Sequence, residues 1–142
     1  MQRRLFIAAT LLLAGLLAGC ESMKSVTGSS SDLTGLLTKQ LGVTDTHASG
    51  GVGSMLQLAQ EKLTSGQFDS VAKAIPGAQK YLDSAKQLLG GGKVGDTGGL
   101  KSAFSKLGRS PDMVDKFKPV VTNYAGQVGG PEVKSLLEGV LR

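Results

Sequence analysis

The chain has no tryptophan, one cysteine, one histidine and only six residues that are Phe or Tyr among its 142. Each scarcity removes a class of explanation. One cysteine, Cys20, cannot form an internal disulfide, so the fold must be held by an apolar core. With so few rings, that core is aliphatic. One histidine, His47, leaves no second ring nitrogen for a metal centre. A Ser-His-Asp arrangement would also have to use it, yet no Gly-x-Ser-x-Gly elbow frames a serine. The phosphate-loop pattern is missing as well: around Gly92-Lys93, Gln87 stands where a glycine is needed and Val94 where a Ser or Thr is needed. Asp112 and Asp115 sit three apart at a helix start, where dipole and solubility account for them better than paired-carboxylate catalysis. These absences predict a non-enzymatic protein with no metal and no cofactor. Long apolar runs are also lacking. Leu5 to Leu17 is thirteen residues, which at about 1.5 Å each falls short of a roughly 30 Å hydrocarbon core, so a membrane span is not expected.

What that segment does resemble is a bacterial secretory signal. Arg3 and Arg4 supply a positive start, Leu5 to Leu17 an apolar stretch, and Leu17-Ala18-Gly19-Cys20 a small-residue exit into the cysteine. The arrangement is similar to the lipobox of bacterial lipoproteins. That resemblance implies a diacylglyceryl group on the Cys20 thiol, cleavage just before it, and acylation, such as by palmitate, of the new amino terminus. Two or three acyl chains hold a protein stably to a bilayer where one does so only marginally. Glu21, rather than Asp, follows the cysteine, which by the same resemblance favours the periplasmic face of the outer membrane, with the inner membrane as the alternative. The expected organisation is a signal peptide over 1–19, an acylated cysteine and flexible linker over 20–31, and a folded domain over 32–142. Ser29-Ser30-Ser31 marks the linker. The eleven residues from Glu21 to Ser31 reach at most about 37 Å, which keeps the domain close to its membrane.

Removal of the first nineteen residues would leave 123, comfortable for one domain. It would also take away Arg3 and Arg4, leaving fourteen basic residues against eleven acidic ones. The lysines are spread over several helices opposite the apolar stripes, without the clustering and aromatic platforms that nucleic acid wants, so a nucleic-acid partner is not expected.

From Asp32 onward the apolar spacing is helical, in steps of three and four. The stripes are Leu33, Leu36, Leu37 and Leu41, capped by Asp32; Met55, Leu58, Ala59 and Leu63, over about Thr46 to Thr64 and ended by Gly66; Phe68, Val71, Ala72 and Ile75, stopped by Pro76-Gly77; and Ala78, Leu82, Ala85 and Leu89. They continue with Leu100, Ala103, Phe104 and Leu107; then, after the start signal Ser110-Pro111-Asp112, Val114, Phe117, Val121, Tyr124 and Val128. Gly129-Gly130-Pro131-Glu132 repeats the stop-and-start chemistry, and Val133, Leu136, Leu137, Val140 and Leu141 close the chain. The prediction is an all-α bundle of six to seven short helices. Gly90 to Gly99 holds six glycines in ten residues, the best candidate for a mobile loop.

Two features stand apart. Leu41-Gly42-Val43-Thr44 and Leu107-Gly108-Arg109-Ser110 each end a helix with Leu-Gly and open the next with a hydroxyl two residues later. They record either a duplicated unit or two uses of one corner. Gly50, Gly51 and Gly53 lie inside a predicted helix, where each costs up to about 1 kcal/mol relative to alanine. Either a neighbouring helix approaches across that bare face, or exposed backbone there holds a ligand.

Leu37 to Thr44, Ala48 to Gly53, Ile75-Pro76-Gly77, Leu107-Gly108 and Ser110 to Val114, in that order, resemble the bacterial domain of unknown function VcgC/VcgE. The resemblance covers about Leu33 to Arg142 and implies a compact helical domain, often in exported proteins, with no activity or active site to carry over. In that family a glutamine is common where His47 stands, which weakens any family-wide role for the ring. The functional expectation is a lipid-anchored envelope lipoprotein whose helical domain binds a protein or envelope component. The alternative is a small-ligand or lipid carrier with its pocket beneath the Gly90 to Gly99 loop.

Overall fold

A computed structural model describes residues 33–142. Cys20, the signal segment, the Ser-rich linker and the Asp32 cap all lie outside the described residues. Six helices follow one another with no strand among the described residues: α1 Leu33–Leu41, α2 Asp45–Lys62, α3 Ser65–Ala74, α4 Ala78–Leu88, α5 Thr97–Lys106 and α6 Met113–Val140. The fold is all-α. The seventh predicted helix is the second half of α6, which breaks at Gly130, where φ is 88° and ψ 176°. Only glycine adopts that backbone readily. Pro131 then opens the second segment, which folds back so that Lys134 lies against Gly126.

α2 is the axis of the bundle and touches all five other helices, most extensively α4. Ten consecutive residues, Gly50 to Ala59, are buried, so this helix is enclosed on every side rather than along a stripe. Around it the predicted stripes supply the core: Leu33 and Leu37; Val71 and Ile75; Ala78, Leu82, Ala85 and Leu89; Leu100, Ala103, Phe104 and Leu107; Val114, Phe117, Val121 and Tyr124; Val133, Leu137 and Leu141. Phe104 and Phe117 meet edge to face, ring centres 4.9 Å apart, the preferred geometry for an aromatic pair.

Several boundaries differ from the sequence reading, each for a local reason. α2 stops at Lys62 and not at Gly66, because Thr64 caps α3 in a reciprocal box with Gln67, which places Gly66 inside the first turn of α3. Ser110 gives α6 no side-chain cap: its hydroxyl donates to Asp112 at 3.4 Å, and the first turn is closed through its carbonyl by the Met113 amide. Val128 is 54% exposed, because packing at the end of that segment passes through Gly129, which faces Ala74 of α3. The expected mobile loop is shorter than its glycines suggest. Asp96 caps α5, so Gly98 and Gly99 are helical, and Val94 is buried in the core. What remains is a turn in which Gly90 and Gly91 take φ of 64° and 77° and the Gly91 amide donates to the Lys86 carbonyl, a Schellman closure of α4.

Candidate functional site

Gly50, Gly51 and Gly53 all lie in helix–helix packing. A Cβ on Gly50 would sit 2.8 Å from Leu88 Cδ1, and one on Gly51 would sit 2.6 Å from Phe117 Cε1 and 3.0 Å from Phe104 Cζ. At Gly53 it would collide with the backbone carbonyl of Tyr81 in α4. The three positions therefore serve three neighbours: a leucine pair, the aromatic pair, and the α4 backbone itself. The helical amides there are committed to the ladder, and Ser54 Oγ donates to the Gly50 carbonyl at 2.7 Å, satisfying a hydroxyl that is fully buried.

His47 occupies the first turn of α2 and is half-buried. Its Nδ1 accepts from Arg109 Nε at 3.2 Å and lies 2.9 Å from both Arg109 Nη2 and Thr44 Oγ1. The contact brings together the two Leu-Gly corners. Their closures differ: Gly42 bonds back to Thr38 in a single turn, whereas Gly108 and Arg109 make the paired bonds of a Schellman motif to Ser105 and Phe104. Thr44 caps α2 with its hydroxyl, and Ser110 does not cap α6. Of the two aspartates, Asp115 pairs with Lys118 at 3.3 Å. Among the described residues, no group of three or more His, Cys, Asp or Glu comes together as a metal site, and no helix is long and apolar enough to cross a membrane.

The site that sequence reasoning missed lies lower on α2. Gln57 is only 9% exposed, and its Oε1 meets no hydrogen-bond partner. It lines a cavity of about 250 Å³ together with Gln60 and Glu61 of α2, Lys86 of α4, and Gly91 to Val94 of the glycine turn. Gln57, Gln60 and Glu61 share a helix face because they are spaced three and four apart. Lys93 and Glu61 close one side of the mouth, 3.9 Å apart. The only sequence signal was a glutamine inside the otherwise apolar run Met55-Leu56-Gln57-Leu58-Ala59.

The family described as protein of unknown function VcgC/VcgE (DUF2780) matches residues 18–142. The chain belongs to this family. The VcgC/VcgE match takes in every helix described above and reaches back through the linker to Ala18, two residues before Cys20. No curated protein and no solved structure matches the chain. The VcgC/VcgE description assigns no reaction and no ligand, so function has to be argued from the residues.

Proposed function

We propose that this VcgC/VcgE protein is a lipoprotein, held by acyl chains on Cys20 to the periplasmic face of the outer membrane, whose helical domain is a non-enzymatic module binding an envelope protein or component. The observation that carries the reading is Leu17-Ala18-Gly19-Cys20 at the foot of a positive, then apolar segment. Two others support it. The family match begins at Ala18 and so spans Cys20 and the linker as well as the bundle. His47, the one side chain suited to proton transfer near neutral pH, is engaged by Arg109 and Thr44 at a helix corner, a tying role.

Metabolic labelling with radioactive palmitate tests the anchor. Label should enter the wild-type chain and be absent from Cys20→Ser, and the wild type should fractionate with outer membrane while the variant is released. Label that persists in Cys20→Ser, or a native chain that begins at Met1 in the cytosol, overturns the proposal. Crosslinking in intact cells, followed by identification of the bound species, tests the interaction role.

A further inference from the structure

We propose that the contact between His47 and Arg109 is a clasp released by a proton, which unties the corner between α5 and α6 from the start of α2. Three polar atoms converge on the ring nitrogen Nδ1: Arg109 Nε, which donates to it at 3.2 Å, Arg109 Nη2 at 2.9 Å, and Thr44 Oγ1 at 2.9 Å. Their chemistry is unequal, because a guanidinium can only donate whereas a hydroxyl can also accept. The hydrogen bond from Arg109 therefore exists only while Nδ1 carries no proton.

A second ring proton reverses the arrangement. Both ring nitrogens are then donors, so Nδ1 meets only donors on Arg109, and a second positive charge stands within hydrogen-bond distance of the first. His47 also lies in the first turn of α2, where the helix dipole disfavours a cation. Thr44 Oγ1 is the neighbour able to receive the new N–H. Its oxygen accepts the His47 amide at 3.3 Å as the cap of α2 and has a second lone pair for the ring. The ring thus changes partner in place, and Arg109 is let go. Because the contact joins residues 62 positions apart, what is released is tertiary structure. The other charged groups on the elements around it are Lys39 and Lys106, in the last turns of α1 and α5, and Asp45 and Asp112, whose carboxylates accept from Thr38 at 3.1 Å and from Ser110 at 3.4 Å. Histidine is the side chain that ordinarily gains its proton between about pH 8 and 5, which sets the range to search. This inference is independent of the anchor, because no residue of the clasp depends on Cys20.

The test uses the full chain, labelled with ¹³C and ¹⁵N and purified from whichever cell fraction holds it. The His47 ring signals and the solvent exchange of the Arg109 Nε–H are followed by NMR from pH 8 to pH 5, beside His47→Ala and His47→Gln. At pH 8 the Arg109 Nε–H should exchange about tenfold more slowly in the wild type than in His47→Ala, the effect of one hydrogen bond from a charged group. As the ring gains its proton that protection should disappear in the same step, until the two proteins exchange alike. A glutamine carbonyl accepts without titrating, so His47→Gln should keep the protection at pH 5. Protection in the wild type that survives protonation of the ring, its absence at pH 8, or a ring still neutral at pH 5 overturns the proposal. Loss of protection in His47→Gln on acidification overturns it too, because the proton would then act at Asp45 or Asp112 and not at the ring.

Discussion

The α2 glycines differ in what surrounds them, and the difference fixes how each responds to a methyl group. At Gly53 the obstacle is the Tyr81 carbonyl, which belongs to α4's own backbone and can move only if the helix moves. At Gly50 the obstacles are the tips of Leu88 and Leu107, and Leu88 is 40% exposed and free to swing outward. Overpacking a tight core costs roughly 1–3 kcal/mol and sometimes more, while glycine to alanine in a helix returns up to about 1 kcal/mol of propensity. Gly53→Ala should therefore lose about 3 kcal/mol or more, and Gly50→Ala should lie within about 1 kcal/mol of the wild type, by urea denaturation with the slope unchanged. His47 yields a second residue-scale expectation. Its Nδ1 accepts from Arg109 Nε, and a glutamine carbonyl can do the same. His47→Gln should leave stability nearly unchanged, whereas His47→Ala should cost about 1 kcal/mol, the ordinary value of a partly exposed hydrogen bond.

At the scale of elements, the break in α6 concentrates its demand on one residue. Gly130 alone carries the left-handed backbone that turns the chain, and nothing crowds the place where its Cβ would be, so the penalty for a side chain there is conformational. Gly130→Ala should cost about 1–3 kcal/mol, read by thermal or chemical denaturation, while Pro131→Ala, which removes only a favourable first-turn residue, should cost less. The elements also show how far the sequence could be read. Helix stripes were legible because one face is apolar and the other charged, as in Ala78, Leu82, Ala85 and Leu89, all four of which are buried. α2 was read as a stripe too, yet Val52 and Leu56, outside that stripe, are fully or almost fully buried. An enclosed helix has no polar face to generate periodicity, and its glycines hide the burial behind a low hydropathy. The glycine turn is shorter than its composition suggests because one side chain, Val94, is enough to pin it. The Gln57 cavity was not legible at all, since it exists only where α2, the end of α4 and the turn converge.

For the whole molecule, the position of α2 decides how the fold comes apart. A helix that touches all five others cannot be exposed while its neighbours stay packed, so its central amides should exchange with solvent only through global unfolding, at the full stability of about 5–15 kcal/mol expected for a domain of this kind. The Gly90–Gly92 turn, in which Gly90 and Gly91 are exposed, Gly92 is half-buried and only Val94 beyond it is pinned in the core, should open at much lower free energy. The Gly53→Ala variant discriminates between a central axis and a merely local seam. If α2 is the axis, native-state hydrogen exchange should show the slowest amides of α1, α4, α5 and α6 losing protection by the same free energy as α2 itself. If loss were confined to α2 and α4, the bundle would be two loosely joined halves, and the enclosure of Gly50 to Ala59 would not carry the cooperativity assigned to it.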